Sequence, residues 1–254
     1  MSIFDQKVIK YEMKPLSSLE KVFPDETPVY RMECQMLSGL WGETVSFQVA
    51  YTGDFVMRER LDVRVVSELA EHVHVRTVEM VPVGRATNGI VDDNYLKTTS
   101  GLYPDLLKDL KDGKVIVYSR QWRSLWVDVD ITNEIPAGEY EIELQLIKEG
   151  EVVCSAKQKV TVIGTELPKL DIMHTEWMHA DCLADYYHVE VFSEEHWKLL
   201  ENYFQEYVKR DCNMMLTPLF TSPLDTAIGL ERTTCQLIDV EVKDGEYVFG
   251  FEKL

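Results

Sequence analysis

The first two thirds of the chain alternate apolar and polar residues with a period of two. In Val45–Tyr51 the odd positions are apolar, and in Tyr140–Leu146 the even positions are apolar between glutamates and a glutamine. Leu61–Val65 and Leu125–Ile131 follow the same pattern. This period predicts β-strands with one buried and one exposed face. A long series of such strands with short turns predicts a mostly β protein, beginning with an antiparallel, Ig-like β-sandwich over residues 1–165.

One long segment, Gly84–Lys114, interrupts the alternation. It contains the turn pair Asn88-Gly89 and is apolar at its centre, from Leu102 to Leu107. The segment is too long for a hairpin loop and too apolar for a disordered one. We therefore predict an ordered loop, with the role of covering a neighbouring domain.

The pattern changes in residues 166–254. Asp171–Trp177 predicts a short strand, which is followed by a loop rich in His, Asp and Tyr. Ser193 then predicts the start of a helix, because its side chain can cap the first turn, and Asn213–Thr217 predicts a second strand. The helix has an apolar face formed by residues at helical spacing, namely Trp197, Leu200 and Phe204.

A strand, a helix and a strand in this order predict a parallel pair with a right-handed crossover. The fold class predicted after the sandwich is therefore an incomplete α/β segment; a TIM-type (β/α)8 barrel is built from repeats of this unit. Gln236–Val242 and Glu246–Phe251 predict a final hairpin that turns at Asp244-Gly245. Two parallel strands cannot close a barrel or cover both faces of a sheet, so either the partner strands come from elsewhere or the sequence is incomplete at Leu254. In the second case we expect a truncated barrel. Its exposed apolar surface is then available for a homo-oligomer.

Charge limits the class of ligand. The formal net charge is -18, from 26 Lys and Arg residues against 44 Asp and Glu residues. Phosphate binding requires a surplus of cationic residues, so nucleic acid is excluded as a partner. Anionic membranes and polyanionic substrates are disfavoured for the same reason. A neutral glycan meets no such objection.

The chain shows no export signal and no reactive-thiol or metal motif. Met1–Leu16 contains no apolar core of a signal peptide, which predicts a cytoplasmic protein. The five cysteines show no CxxC spacing, which predicts reduced thiols without a structural zinc. No nucleotide or dinucleotide motif is present. We expect no cofactor and no metal.

Six segments carry a resemblance to a known enzyme family. They are Gly101–Leu107, Leu125–Val129, Ile135–Tyr140, His174–Cys182, Thr217–Thr226 and Glu231–Val240. These segments resemble glycoside hydrolase family 123, whose members join an N-terminal β-sandwich to a (β/α)8 catalytic barrel. The resemblance covers nearly all of this chain and about the first half of the family's architecture.

The resemblance implies hydrolysis of a terminal β-linked N-acetylhexosamine, typically N-acetylgalactosamine. The sugar's own acetamido oxygen attacks the anomeric carbon, an Asp orients the acetamido group, and an adjacent Glu acts as general acid and base. No enzyme carboxylate is the nucleophile, unlike the usual two-carboxylate scheme. The resemblance places this Asp-Glu pair on a later barrel strand, so we assign no catalytic residue and predict that the 254-residue chain alone is inactive.

Candidate sugar-binding residues follow from the position of barrel active sites at the C-terminal ends of the strands. The loop after the first predicted strand, Glu176–Asp185, and the loop after the second lie at that end. Trp177 can stack on a sugar ring, with core packing as the alternative. Arg232 is expected to form a local ion pair with Glu231 or Asp225 that shapes the second loop. The predicted substrate-binding residues are Glu176, Trp177, His179, Asp181 and Asp225.

Two other functions remain open from the sequence. The first is a non-catalytic carbohydrate-binding or interaction module. The second is a metal-dependent hydrolase, based on the cluster of His174, Glu176, His179, Asp181 and His188. No helix presents two of these imidazoles one turn apart, as a zinc-binding helix does, which disfavours the metal site.

Overall fold

A computed structural model gives the fold as two units, Met1–Leu167 and Pro168–Leu254, in a mostly β protein. The residues described are 10–29, 36–54, 57–85, 87, 89, 91, 94–169, 171–222 and 226–254. Within these ranges no helix is both long enough and apolar enough to cross a membrane.

The first unit contains ten strands among the described residues, arranged as two five-stranded sheets. The strands are β1 Lys10–Ser17, β2 Met36–Trp41, β3 Thr44–Asp54, β4 Glu59–Val66, β5 Val73–Val83, β6 Gly101–Asp109, β7 Lys114–Val117, β8 Arg123–Asp130, β9 Gly138–Lys148 and β10 Glu151–Glu166. The first sheet has the order β1-β3-β8-β5-β6, and the second has the order β2-β10-β9-β4-β7.

Antiparallel pairing dominates both sheets, as the alternating pattern predicts. In the first sheet Phe47 of β3 lies opposite Val127 of β8. Among the strands that the structure describes, the exception is β2. It pairs with β10 in parallel, with Leu37 opposite Val160. Parallel neighbours require a long connection instead of a hairpin, and more than a hundred residues of chain separate these two strands.

One apolar core joins the two sheets. The alternating residues of β3 and β9 that face it include Phe47 and Val49 on one side and Leu144 and Leu146 on the other, all at most 1% exposed. Burying a side chain of this size stabilises the fold by about 1.5–3 kcal/mol. The period of two in the sequence therefore sets which face of each sheet is buried.

The prediction of a continuous loop over Gly84–Lys114 was wrong in its second half. Gly101–Asp109 forms β6, the edge strand of the first sheet, which pairs with β5 so that Tyr103 lies opposite Val81. Most residues of this strand are exposed, so no buried face imposes alternation on its sequence. Pro104 also belongs to this strand, and proline is tolerated at a sheet edge because no neighbour needs its missing N–H.

The second unit contains two α-helices and one hairpin among its described residues. They are α1 Ala180–Tyr187, α2 Glu194–Lys209, and the hairpin strands β11 Asp239–Lys243 and β12 Glu246–Gly250. The predicted cap of α2 is confirmed, because the Ser193 hydroxyl accepts from the N–H of His196 at 3.3 Å. The hairpin turns at Asp244 and Gly245, which both have positive φ as this tight turn requires.

The predicted barrel strands are not regular strands. Residues 171–177 and 213–217 are extended without a strand ladder. They are nevertheless neighbours, since the N–H of Asn213 donates to the carbonyl of His174 at 3.0 Å. On the other side, the N–H groups of Leu237 and Ile238 donate to the carbonyls of residues 218 and 219. The predicted loop Glu176–Asp185 was also partly wrong, because α1 begins at Ala180.

Candidate functional site

An apolar cleft of about 350 Å³ lies in the second unit. Its walls come from the segment that leads into α1, from one face of α2, and from the extended residues 215–218. Small-molecule sites start at about this volume and are lined mainly by apolar and aromatic side chains. The predicted site residues that line the cleft are Trp177, His179 and Asp181.

Exposed aromatic rings are the most distinctive surface of this cleft. The side chain of Trp177 is 66% exposed in this chain. Trp197 of α2 is 45% exposed and stacks on Phe192, with ring centroids 5.4 Å apart and planes 22° apart. Indole rings of this kind can cover the apolar face of a sugar, because they are large and rigid and carry a polar N–H at one edge.

The predicted Asp181 is held by an arginine that lies 51 residues later in the chain. Arg232 Nε donates to Asp181 Oδ2 at 2.7 Å, and Arg232 Nη2 donates to Asp181 Oδ1 at 3.0 Å. The two side chains are only 12% and 9% exposed. The expected partners of Arg232 were Glu231 or Asp225. Among the described residues Arg232 pairs not with Glu231 but with Asp181 of α1, 51 residues earlier, and Asp225 lies outside the described residues.

A second contact repeats this connection between α1 and the segment after Arg232. The hydroxyl of Thr233 donates to Asp185 Oδ1 at 2.7 Å. Asp181 and Asp185 are separated by one helical turn, so both face the same segment. These bonds fix the orientation of α1 and hence of His179, the residue that precedes its first turn.

His196 is a central residue of this unit that the sequence did not reveal. It is fully buried, its Nδ1 accepts from the N–H of Phe192 at 2.9 Å, and its Nε2 donates to the carbonyl of Ala180 at 2.9 Å. Both ring nitrogens are satisfied by the tautomer that carries its proton on Nε2. His196 therefore ties α2 to the start of α1 and has a positioning role.

Cys235 lines the cleft as a protonated thiol. Burial raises the pKa of Cys235 to about 11, with a further contribution from the carboxylate of Asp181. Only a thiolate is a strong nucleophile or metal ligand. The Cys235 side chain is thus an apolar wall at neutral pH.

The other two predicted binding residues, Glu176 and Asp225, are not among the residues that the structure shows in the cleft. Glu176 is exposed, and its Oε1 lies 3.5 Å from His174 Nε2, while its carbonyl accepts from the hydroxyl of Tyr207 at 3.0 Å. It is not among the residues that line the cleft. Asp225 lies outside the described residues. Among the residues described, no three His, Cys, Asp or Glu side chains meet in a way that would hold a metal ion.

The chain has one Asp-Glu dipeptide, Asp25-Glu26, which the sequence analysis did not consider. It belongs to the first unit, where Lys97 Nζ lies 3.1 Å from Asp25 Oδ1 and 2.8 Å from Glu26 Oε1. The hydrogen bond from Lys97 lowers the pKa of Asp25. Both carboxylates are therefore engaged in a surface ion pair.

Comparison with known proteins agrees with the location of the cleft. Residues 177–254 match the family described as Glycoside hydrolase 123, catalytic domain. The match begins at Trp177 and contains α1, α2 and Arg232. It supports the resemblance that the sequence motifs indicated. No curated protein matches this sequence.

Among solved structures, the chain is similar to a family 123 glycoside hydrolase from Clostridium perfringens, studied for glycolipid glycan hydrolysis. The TM-score is 0.66 at 13% identity, and the match covers 96% of this chain and 43% of that enzyme. The chain thus spans less than half of the enzyme's length. A β-glucosidase from Listeria innocua also matches, with a TM-score of 0.29, 10% identity, and coverage of 63% of this chain and 17% of the other. Of these two structures, only the Clostridium perfringens enzyme is similar enough to show a shared fold.

Proposed function

We propose that this chain is the front part of a glycoside hydrolase that acts on terminal β-linked N-acetylhexosamine, with N-acetylgalactosamine as the preferred sugar. The observation that carries the proposal is the match of residues 177–254 to the family 123 catalytic domain, because this segment builds the aromatic cleft. In the proposed enzyme the first unit is an Ig-like sandwich. The second is the first part of a (β/α)8 barrel.

The cleft supports this role through its surface chemistry. A pyranose ring has an apolar face and a rim of hydroxyl groups. Trp177 offers an exposed aromatic plane for the face, and His179 lines the same cleft with an imidazole ring, a type of side chain that can hydrogen-bond a hydroxyl. Asp181 acts through Arg232, because both of its oxygens accept from the guanidinium. We therefore assign Trp177 and His179 to sugar contact and Asp181 to positioning.

The proposed reaction is substrate-assisted hydrolysis. The carbonyl oxygen of the sugar's acetamido group attacks the anomeric carbon as the glycosidic bond breaks, and a glutamic acid donates its proton to the leaving oxygen. Water then opens the cyclic oxazolinium, and the same Glu takes the proton from that water. The chain's own Asp25-Glu26 is paired with Lys97 in the other unit, so we place the catalytic pair outside these 254 residues.

Hydrolysis of an aryl β-N-acetylgalactosaminide tests the proposal. The comparison is between the 254-residue chain and the product of the same gene with any reading frame that continues past the codon for Leu254. We expect the longer product to release the aryl alcohol with retention of the anomeric configuration, and the 254-residue chain to release none. Replacement of the acetamido group by trifluoroacetamido should slow the longer product strongly, since its carbonyl oxygen is a weaker nucleophile. Turnover by the 254-residue chain, or insensitivity to the fluorinated substrate, would contradict the proposal.

The alternative is a non-catalytic sugar-binding module, which the exposed Trp177 also favours. The two functions share the cleft and differ in turnover. A longer product that binds N-acetylgalactosamine without hydrolysing any β-N-acetylhexosaminide would support the alternative.

A further inference from the structure

A second and larger cleft lies on the flank of the first unit. Its volume is about 760 Å³. It lies between β6, the last strand of the first sheet, and β7, the last strand of the second sheet. Its volume is within the range of small-molecule binding sites.

The charge of this cleft is opposite to that of the whole chain. The protein carries a formal charge of -18, yet the cleft is lined by six cationic side chains and three carboxylates. The six cations are Arg58, Arg60, Lys108, Lys111, Lys114 and Arg123. A concave surface with low-dielectric walls concentrates such a field and attracts anions.

Most of the carboxylates in the cleft already have partners. Lys148 Nζ lies 2.9 Å from Glu59 Oε1, and His74 Nε2 lies 3.3 Å from Asp109 Oδ1. Within the described part of the chain, four of the six cations have no carboxylate in ion-pair distance. These four are Arg58, Lys108, Lys111 and Arg123.

Arg123 is the most informative of these cations. It lies in β8, the central strand of the first sheet, opposite Tyr51 of β3. Its guanidinium carbon is 5.0 Å from the ring centroid of Tyr118, and its Nη2 donates to Gln121 Oε1 at 3.1 Å. Its Nε is buried and has no hydrogen-bond partner. A buried donor without an acceptor is unfavourable, and the contacts within the described residues leave this one unsatisfied.

Protection of the sheet edges explains only part of this cluster. Lysines on edge strands discourage pairing with other chains, which accounts for Lys108 on β6 and Lys114 on β7. It does not account for Arg123, which lies two strands away from the edge. A guanidinium that is fixed against a tyrosine ring is instead typical of a site that binds carboxylate or sulfate groups.

We propose that this cleft binds an acidic oligosaccharide through its carboxylate or sulfate group. The saccharide part of the proposal rests on the glycosidase function proposed above, and the acidic part rests on the cations of the cleft. Met80 and Leu102 line the same cleft and offer apolar surface to a sugar ring. The overall charge disfavours polyanionic ligands, but the local charge of this cleft favours an acidic one.

Calorimetry and NMR on the 254-residue chain test the proposal directly. The probes are sialyllactose, which carries a carboxylate, sulfolactose, which carries a sulfate, neutral lactose, and inorganic sulfate. We expect saturable binding of at least one acidic sugar, with backbone amide shifts at β6, β7 and Arg123, and no such shifts with lactose. The two acidic sugars distinguish a carboxylate site from a sulfate site.

Variants at the exposed cations separate the site from general charge. We expect the double variant Arg58→Ala, Lys108→Ala to weaken binding about tenfold. Each lost ionic contact at an exposed position should lower the affinity by roughly two- to fivefold, and the two losses multiply. The matched control is Lys10→Ala, Lys159→Ala, which removes the same charge from exposed positions on β1 and β10 of the same unit and should bind like the parent chain. Arg123→Gln should weaken binding as well.

Three results would overturn the proposal. They are equal binding of lactose and the acidic sugars, binding of inorganic sulfate alone (an adventitious ion only), and equal loss of affinity in the double variant and its control. Because the measurement follows amides of the first unit, its failure leaves the aromatic cleft at Trp177 untouched. The proposed hydrolase function is tested separately at that cleft.

Discussion

Arg232 and Asp181 form a bidentate ion pair that connects the segment after residue 231 to helix α1. The two N–O distances are 2.7 and 3.0 Å, and both side chains are almost fully buried. A bidentate pair of this kind is geometrically specific, because the planar guanidinium matches the carboxylate. It fixes α1, and α1 in turn fixes His179 at the entrance of the aromatic cleft.

Removal of one partner of this pair should strongly destabilise the second unit. Arg232→Met leaves the Asp181 carboxylate buried without a counter-charge, for which we expect a loss of about 3–5 kcal/mol in the free energy of unfolding. In the described part of the chain, both α-helices belong to the second unit. Urea unfolding followed by the helical circular dichroism signal therefore reports on this unit.

The control for this experiment is Glu231→Gln at the neighbouring exposed position. Its effect should stay within about 0.5 kcal/mol, as is usual for surface substitutions. The double variant Asp181→Leu, Arg232→Met should be more stable than Arg232→Met alone, since no buried charge remains. Equal stability of Arg232→Met and Glu231→Gln would contradict the structural role of the pair.

The Ser193 cap should contribute measurably to helix α2. Ser193→Ala removes the acceptor of the His196 N–H, and we expect a loss of about 1 kcal/mol in the free energy of unfolding. Ser193→Asp should retain the stability, because aspartate accepts the same bond and its charge favours the helix N-terminus. The same urea titration measures both. An alanine variant as stable as the aspartate variant would show that the cap is not needed.

Alkylation should distinguish the buried thiol of Cys235 from the exposed thiol of Cys182. We expect iodoacetamide to modify Cys182 rapidly at pH near 8 and Cys235 only slowly, because the pKa of Cys235 is raised to about 11 by burial. Peptide mass mapping over time gives both rates. Equal rates in the folded protein would contradict the described environment of Cys235.

The buried thiol of Cys235 should make the folded chain less stable at alkaline pH. The unfolded chain releases the Cys235 proton near the ordinary thiol pKa of about 8.5, whereas the folded chain holds it until about pH 11. The folded state binds more protons in this window, so the free energy of unfolding should fall as the pH rises through it. Cys235→Ala, compared with the parent chain by urea unfolding across this range, should show a shallower fall.

Helix α2 should promote self-association through its exposed apolar residues. Trp197 is 45% exposed and Val208 is 71% exposed, and both line a shallow groove with Phe204. We expect concentration-dependent dimers or larger species by light scattering, because apolar patches of this kind seldom stay uncovered. Val208→Glu should reduce association, while Asn202→Glu, an equal charge change at an exposed polar position of α2, should not. A parent chain that stays monomeric at all concentrations would contradict this expectation.

The core strands of the first unit could be predicted because burial on one face imposes a period of two. The core strands β3, β8 and β9 show that period throughout. The edge strand β6 does not, because most of its residues are exposed and no buried face imposes alternation. The strand predicted at Asp171–Trp177 was wrong for a different reason. A segment becomes a regular strand only when a ladder of backbone hydrogen bonds forms with a neighbouring segment. The sequence of the segment itself does not show whether that neighbour is present.

The candidate site was predicted in part. Trp177, His179 and Asp181 were expected at the cleft because they follow a predicted barrel strand, and the structure brings these three together. The partner of Asp181 could not be predicted, since the contact depends on how the chain folds over 51 residues. The same is true of His196, whose two hydrogen bonds come from Phe192 and Ala180 after both helices have formed.

The most direct test of the account is a titration of the 254-residue chain with N-acetylgalactosamine, followed by the indole N–H and backbone amide signals in NMR spectra. We expect a saturable shift of the Trp177 indole signal and smaller shifts at His179 and Trp197. In Trp177→Ala the shifts at His179 and Trp197 should be lost, whereas Trp126→Phe, in the first unit, should leave binding unchanged. A Trp177 signal that does not move at any sugar concentration, or shifts confined to the first unit, would contradict the assignment of this cleft to a glycoside hydrolase.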